Sequence, residues 1–347
     1  MTQSEHVEAA EKAGLLYTPD SLRGIRRERL GAAFVYIGSN GQPVTNEQKL
    51  RRIRSLAIPP AWTDVWICPH SNGHLQVTAR DARGRKQYRY HLKYRAVRDE
   101  TKFSRMMDFS RVLPAARQAI EAHLGLPGLP RQKVLATVVW LLERTLIRVG
   151  NIEYARENET FGLTTLEDRH VIVRGKTVTF SFTGKSGIEH TKSIVDSRIA
   201  RIVQRCQTLP GEPLFQYVDS DGNRQDVDSG AVNEYLREIA GAGITAKDFR
   251  TWAGTMLAAA ALREIGTARL LKHKKSNIVK AIDRVAEHLG NTRAVCRQYY
   301  IHPVVLEAYL RGKVIPPTDR APKRRTSARK LRADELAVLR FIAEHER

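Results

Sequence analysis

The apolar pattern of this chain changes period near residue 93, and that change limits what the chain can fold into. Before it, hydrophobic residues come in short runs separated by turn formers: AAFVYIG, SNGQP, DVWICPH, SNG, HLQVTARD and ARGRKQYRY. Asn40-Gly41 and Asn72-Gly73 are hairpin dipeptides, because both residue types tolerate the positive φ of a tight turn. The first ninety residues are therefore expected to form a small, mostly β domain. One helix interrupts it across NEQKLRRIRSLAI and is stopped by Pro59-Pro60.

Beyond Lys93 the spacing becomes helical. Leu135, Val138, Val139, Leu142, Leu146 and Val149 share one face of a helix expected over 131–149, with Gly150 as its stop. A β interlude follows in HVIVRGKTVTFSFTGKSGIEHTKSIV, whose turns at Arg174-Gly175-Lys176 and Gly184-Lys185-Ser186-Gly187 predict a three-stranded meander. Helices resume in DSGAVNEYLREIA, and in TAKDFRTWAGTMLAAAALREIG, where Thr245 and Asp248 have capping-box spacing. Another ends at Gly290, and a short one is expected across 293–300. From about Pro316 a basic run, APKRRTSARK, leads into LRADELAVLRFIAEHE, with Leu336, Leu339 and Ile342 or Ala343 on one side of an amphipathic helix.

The class expected is thus α+β. A β-rich N-terminal domain spans 1–93, a mainly α-helical domain with the meander spans 94–315, and a basic tail spans 316–347. Two domains suit 347 residues, more than one core usually serves.

Charge narrows the partner. Lys and Arg number 58 against 37 Asp and Glu, a formal +21. Such an excess points to a polyanion, because each phosphate neutralised releases condensed counterions. DNA is one partner of that kind; RNA, a ribosome and an anionic membrane surface are others. Residues 1–30, closing on Arg23, Arg26, Arg27 and Arg29, are expected to wrap the surface or lie on DNA. No apolar run reaches the roughly 20 residues that span a bilayer. The start, MTQSEHVEAAEKAG, lacks the order of a signal peptide, so a cytoplasmic, nucleoid-associated location is expected. Cys68, Cys206 and Cys296 are scattered and suggest no disulfide framework. Cys68, His70, His74 and His91 lie close in sequence but do not make a complete zinc ligand set.

Gly184-Lys185-Ser186 resembles the end of a P-loop, yet the earlier glycine would fall at Thr179, inside a predicted strand. No HExxH pair and no carboxylate cluster for two magnesium ions is present, so no metal or cofactor is expected. What remains is a set of cations and a tyrosine where the chain turns. Arg148 is expected at a helix end just before Gly150, Lys185 at a hairpin tip, and Arg250 in the first turns of a helix. Asn291 follows a helix-ending glycine, and Tyr300 comes nine residues later. Singly, each has an ordinary explanation as a solvated end, a turn, an ion pair, a cap or a core aromatic.

Together and in order, LIRVGN, ENETFGLTTL, FTGKSG, KDFRTWAG and LGNTRAVCRQYY resemble the successive active-site motifs of the poxvirus and bacterial type IB DNA topoisomerases. Upstream, GRKQYRYH resembles the segment with which that family contacts the major groove, so the likeness runs from about residue 34 to about 312. It implies the catalytic fold shared by tyrosine recombinases and type IB topoisomerases. Arg148 and Arg250 would be the two arginines, Lys185 the lysine, Lys247 a further basic residue and Tyr300 the nucleophile. Where poxvirus enzymes carry histidine this chain has Asn291, which donates a hydrogen bond but carries no proton. Tyr299 adjoins Tyr300, and the spacing from Asn291 favours Tyr300.

The implied reaction suits these side chains. Attack by a phenolate on a phosphodiester adds negative charge that paired guanidinium donors can meet in place of a metal. Lys185, assisted by Lys247, would protonate the 5′-oxygen that leaves. A 3′-phosphotyrosyl link keeps the energy of the broken bond, so religation needs no ATP. In the N-terminal domain Gln87 would read a base edge, preferentially adenine, Tyr88 and Tyr90 would stack or reach phosphates, and Arg83, Arg85, Lys86 and Arg89 would contact the backbone. Tyr154 and Arg156 are further DNA-contact candidates. The resemblance implies a monomer that closes round double-stranded DNA as a clamp. The rivals are a tyrosine recombinase, which usually carries His-x-x-Arg where this chain has Lys247 and Arg250, and a basic DNA-architectural protein without activity.

Overall fold

The computed structural model describes residues 3–31, 33–82, 84–219, 221–241, 243–316 and 330–345, with side chains for all of these except 5, 99–104 and 154. Backbone contacts divide the chain into two compact units, 1–104 and 105–347.

The first unit opens with helix α1 (Gln3–Lys12) and continues through β1 (Ile25–Leu30), β2 (Ala33–Ile37), α2 (Glu47–Ser55), β3 (Thr63–Ile67), β4 (Leu75–Arg80) and β5 (Lys86–Tyr90). The strands form one antiparallel sheet in the order β2-β1-β3-β4-β5. Ile25, Val65, Ile67, Val77 and Ala79 pack with Ile53 of α2 into its core. Asn46 caps α2 by accepting from the Lys49 amide.

The first strand begins inside the segment expected to wrap the surface or lie on DNA, where no strand was anticipated, and α1 was not foreseen either. Strand β1, IRRERL, has no apolar alternation. Arg27 is half-buried, and its guanidinium donates to the carbonyls of Ile58, Pro59 and Trp62 while stacking 4.2 Å from the Phe34 ring centroid. A charged residue thus takes the place of an apolar one by hydrogen-bonding the carbonyls of the turn at 58–62.

Helix α3 (Leu92–Leu124) follows, and then α4 (Arg131–Thr145), α5 (Ile152–Asn158), β6 (Val171–Arg174), β7 (Thr177–Gly184), β8 (Ile188–Val195) and α6 (Ser197–Gln207). A small hairpin, β9 (Gln216–Val218) and β10 (Arg224–Asp226), was not anticipated. The chain ends with α7 (Ser229–Ala240), α8 (Ala246–Ile265), α9 (Leu271–Leu289), α10 (Arg293–Tyr299), α11 (Pro303–Leu310) and α12 (Ala333–His345).

In the second unit, β6, β7 and β8 form a three-stranded antiparallel meander. Helix α4 is buried around nearly its whole circumference and contacts α7, α8, β8 and β9, so it is the axis of the unit. It stops earlier than its apolar period suggests. Leu146 takes left-handed φ/ψ of 58° and 18°, and its amide closes the last turn on the Leu142 carbonyl. Arg148 is therefore not at a helix end but two residues into the loop that follows Leu146. Asp248 caps α8 as expected, accepting from the Thr245 amide and hydroxyl, each at 2.8 Å.

Most of the basic run after Pro316 lies outside the described residues, whereas α12 packs on α8 and α11 with Val338, Phe341 and Ile342 buried. Glu335 of α12 is also buried, accepting from Arg117 of α3 at 2.6 and 2.9 Å and from Trp252 Nε1 of α8 at 3.3 Å. Burial alone would raise that carboxyl, but the hydrogen bonds and charge of Arg117, together with the Arg332 amide and charge, outweigh it and hold Glu335 below the usual range.

Candidate active site

Tyr300 is set by its neighbours on two helices. Thr292 caps α10, and the Tyr300 amide ends that helix on the Cys296 carbonyl at 3.0 Å. Helix α8 presents Gly254 to the Tyr300 backbone, where a methyl group would collide with the Tyr300 carbonyl oxygen. The adjacent Thr255 hydroxyl accepts from the His302 amide at 3.0 Å and donates to the Tyr300 carbonyl at 3.4 Å. A glycine and a threonine on one turn of α8 thus hold residues 300–302.

Two turns of backbone receive Arg250. It is buried on α8, donating to the carbonyls of Leu146 and Leu289, the ends of α4 and α9. Both are carbonyls a helix terminus leaves without an intrahelical partner. Its Nε has no hydrogen-bond partner among the described residues. Burial pushes the Arg250 guanidinium below its ordinary value, and the nearby Tyr300 hydroxyl pulls it back.

Arg148 is half-buried and donates to the Gly290 carbonyl at 2.9 Å and to Asn291 Oδ1. Burial, then the charge of Arg250, pushes its guanidinium down. The motif ENETFGLTTL explains how this loop is held. The Leu163 amide donates to the Arg148 carbonyl at 2.8 Å and the Thr164 amide to the Val149 carbonyl at 2.6 Å. Gly162 makes the approach possible, since a Cβ there would lie 2.6 Å from the Arg148 carbonyl oxygen and 2.7 Å from Gly150 Cα.

Asn291 follows Gly290, which caps α9 in left-handed conformation. Because its Oδ1 accepts from Arg148, its Nδ2 is the donor left over; that nitrogen is buried and without a partner among the described residues. Lys185 is exposed on the turn between β7 and β8, where Ser186 takes φ 71°. Lys247 is exposed in the first turn of α8.

Five of the six expected catalytic residues line one open cleft of about 320 Å³: Arg148, Lys185, Lys247, Arg250 and Tyr300. Asn291 joins them through Arg148. Tyr299, half-buried, does not line it. The cleft gathers four cations around one phenol, an arrangement suited to a phosphate.

His190 was missed. It extends from β8 against Gly184 and Gly290, on the face that alternation turns inward together with Lys192. Period-two counting from the hairpin tip would have put both residues on that face. Burial, then the charges of Arg148, Lys192 and Arg250, pushes its imidazole below the ordinary value.

The described DNA-contact candidates of β5 divide between its two faces. On β5, Lys86 lies 5.6 Å from the Tyr88 ring centroid, and the Tyr88 and Tyr90 rings stack at 6.1 Å, which sets these three on one face. Gln87 and Arg89 fall on the other by alternation, with Arg89 5.4 Å from the Trp62 ring centroid. Asp81 accepts from Arg85 Nε at 2.8 Å and from Gln87 Nε2 at 2.9 Å, and Lys86 pairs with Asp20 at 2.6 Å. Arg83 and the Tyr154 side chain lie outside the described residues. Arg156 is exposed on α5.

Family models match over most of this framework. Residues 91–313 match the catalytic core of eukaryotic DNA topoisomerase I, and 33–81 match the N-terminal domain of bacterial DNA topoisomerase IB. The chain is 32% identical over 295 residues to DNA topoisomerase 1B of Acanthamoeba polyphaga mimivirus, covering 83% of this chain and 88% of the viral one. It is 24% identical over 278 residues to DNA topoisomerase 1B of vaccinia virus (strain Copenhagen), covering 76% and 83%. The monkeypox virus DNA topoisomerase I is similar to the same degree.

Proposed function

The chain belongs to the type IB DNA topoisomerase family, an isomerase that relaxes supercoiled duplex DNA without ATP, and we propose that Tyr300 makes the transient break. The observation that carries the assignment is the shared cleft of Tyr300, Arg148, Arg250, Lys185 and Lys247.

Tyr300 gives up its phenolic proton to solvent and its oxygen attacks the scissile phosphorus, forming a 3′-phosphotyrosyl bond while the bond to the 5′-oxygen breaks. Arg148, Arg250 and Asn291 Nδ2 donate to the non-bridging oxygens as charge builds there. A single donor of this sort is worth about 3 kcal/mol of transition-state stabilisation where one has been removed from an oxyanion hole. Lys185 passes a proton from Nζ to the departing 5′-oxygen, with Lys247 nearby as a second cation. Once torque has turned the free end, the 5′-hydroxyl returns its proton to Lys185 and attacks phosphorus, releasing Tyr300 as the phenolate, which takes its proton back from solvent. The phosphotyrosyl diester supplies the energy for that step.

DNA capture rests on the first unit, with Gln87 on one face of β5, Lys86, Tyr88 and Tyr90 on the other, and Arg85 just before the strand. On this reading residues 1–93 are a DNA-clamp domain and 94–315 the cleaving and resealing domain of a monomer that closes round the duplex at the nucleoid. The net charge of +21 supports a polyanionic partner.

Supercoiled plasmid incubated with the protein in EDTA and without ATP tests this. The parent is expected to relax it, Tyr299→Phe to relax it, and Tyr300→Phe to leave it supercoiled with no covalent adduct. Relaxation by Tyr300→Phe would move the nucleophile, and an inactive parent would overturn the reading.

A further inference from the structure

Resting on the reading that Lys185 is the general acid, we propose that His190 is its positioning residue, holding the Lys185 turn against the turn that carries Asn291. The two turns come from distant parts of the chain. Lys185 follows Gly184 at the end of β7, and Asn291 follows Gly290 at the end of α9.

The His190 ring fills the space between those two glycines. A Cβ at Gly184 would stand 2.5 Å from His190 Cδ2, and one at Gly290 would overlap His190 Cε1 and stand 3.0 Å from Nε2. Both distances lie inside van der Waals contact, so each glycine is where the ring needs the room. Phe182, paired with His190 across the β7–β8 ladder, sits with its ring centroid 5.2 Å away. Two residues along, Lys192 Nζ donates to the His288 carbonyl at 3.3 Å, a second tie between β8 and the end of α9. The Gly290 carbonyl in turn accepts from Arg148. The imidazole therefore bridges the hairpin that bears the acid and the turn that bears the oxyanion donors.

Its charge environment fits a spacer rather than a proton donor. Arg148, Lys192 and Arg250 face the ring and disfavour its protonated form, with Glu189 alone opposing them, and burial acts in the same direction as the cations. An imidazole kept neutral adds no charge to a phosphate pocket already supplied with two guanidinium groups. It does fix a separation, and a shift of about 1 Å at a catalytic group can cost about 10²-fold in rate.

Single-turnover formation of the covalent adduct on duplexes with a 5′-oxygen or a 5′-sulfur leaving group tests the proposal, because sulfur needs little protonation. His190→Ala is expected to slow cleavage of the oxygen substrate by about 10²-fold and of the sulfur substrate by less than about tenfold. On the oxygen substrate, His190→Ala combined with Lys185→Ala is expected to be no slower than Lys185→Ala alone. Equal losses of His190→Ala on both substrates, no loss, or losses that multiply in the double variant would overturn the proposal. Lys185→Ala on the two substrates tests the underlying reading separately. If it is not rescued by sulfur, Lys185 is not the acid, and the oxygen-substrate double variant alone decides whether His190 acts through it.

Since a smaller side chain at 190 could act by loosening the fold, Gly184→Ala provides the converse change. Its added methyl should slow cleavage while His190 is present, and Gly184→Ala combined with His190→Ala should recover the rate of His190→Ala. Parent-like activity of Gly184→Ala would remove the steric link.

Discussion

The Arg250 guanidinium carbon lies 5.4 Å from the centroid of the Tyr300 ring, which couples a buried cation to the candidate nucleophile. The arginine is aimed by two helix-terminal carbonyls, those of Leu146 and Leu289, and by no carboxylate among the described residues. A carboxylate partner would cancel the charge a phosphate needs; carbonyls orient the fork and leave it positive.

Replacing Arg250 should therefore affect cleavage more than folding alone would suggest. Arg250→Ala is expected to slow single-turnover cleavage by about 10²–10³-fold. Arg250→Lys should recover little of that, because an ammonium cannot hold both carbonyls and also donate in a plane to phosphate. Adduct formation followed by gel, alongside thermal melting of each variant, separates the two contributions. A lysine variant within a few-fold of the parent would show that charge alone suffices.

Asn291 offers a sharper distinction of role. Its oxygen is engaged by Arg148, so the group available to a phosphate is the amide nitrogen. Asn291→Asp would replace that donor by an acceptor beside the substrate, and is expected to slow cleavage more than Asn291→Ala. Asn291→His keeps a donor and should stay nearest the parent. An Asp variant faster than the Ala variant would count against the oxyanion role.

How much of this was legible in the sequence follows from how local each feature is. The turn at Gly184-Lys185-Ser186-Gly187 and the Thr245/Asp248 cap are set by neighbours within a few residues, and both are where their residue types predict. Arg148 was misplaced because the apolar period continues to Val149, while the backbone breaks at Leu146 to bring Arg148 toward Gly290. Strand β1 was invisible because Arg27 stands where an apolar residue would, satisfied by carbonyls some thirty residues on. The docking of α12 rests on Glu335 meeting Arg117, 218 residues away, a pairing that no window along the chain contains.

Asp81 should govern what Gln87 can read. A carboxylate accepts only, so the hydrogen bond at 2.9 Å fixes Gln87 Nε2 toward Asp81 and leaves Oε1 as the outward group. An acceptor alone favours a base that presents an exocyclic amine in the major groove, adenine or cytosine. Asp81→Ala would let the amide turn over and accept or donate. Sequencing of covalent cleavage sites on a random duplex pool is expected to show a position enriched in A and C for the parent. That preference should flatten in Asp81→Ala and vanish in Gln87→Ala. An unchanged profile in Asp81→Ala would separate Asp81 from base choice.

The buried pair of Arg117 and Glu335 makes a prediction about stability and pH. Arg117 also donates to Glu143, at 2.6 and 2.9 Å, so Glu335→Gln does not strand the guanidinium but removes its charged hydrogen bonds to α12, and is expected to cost about 1.5–3 kcal/mol at neutral pH. The folded-state value of Glu335 is lowered, so its contribution is complete above the ordinary glutamate value and is lost as pH falls through the lower, folded one. Denaturant melts of parent and Glu335→Gln should therefore differ most at neutral pH, begin to converge as pH falls below the ordinary value of 4.5, and meet once it has passed the lower, folded value. Since Glu335 also accepts from Trp252, two residues from Arg250 on α8, Glu335→Gln should slow relaxation even where the protein remains folded. A variant as stable as the parent at pH 7, or a gap that stays constant into acid, would mean that α12 is held by its apolar face alone.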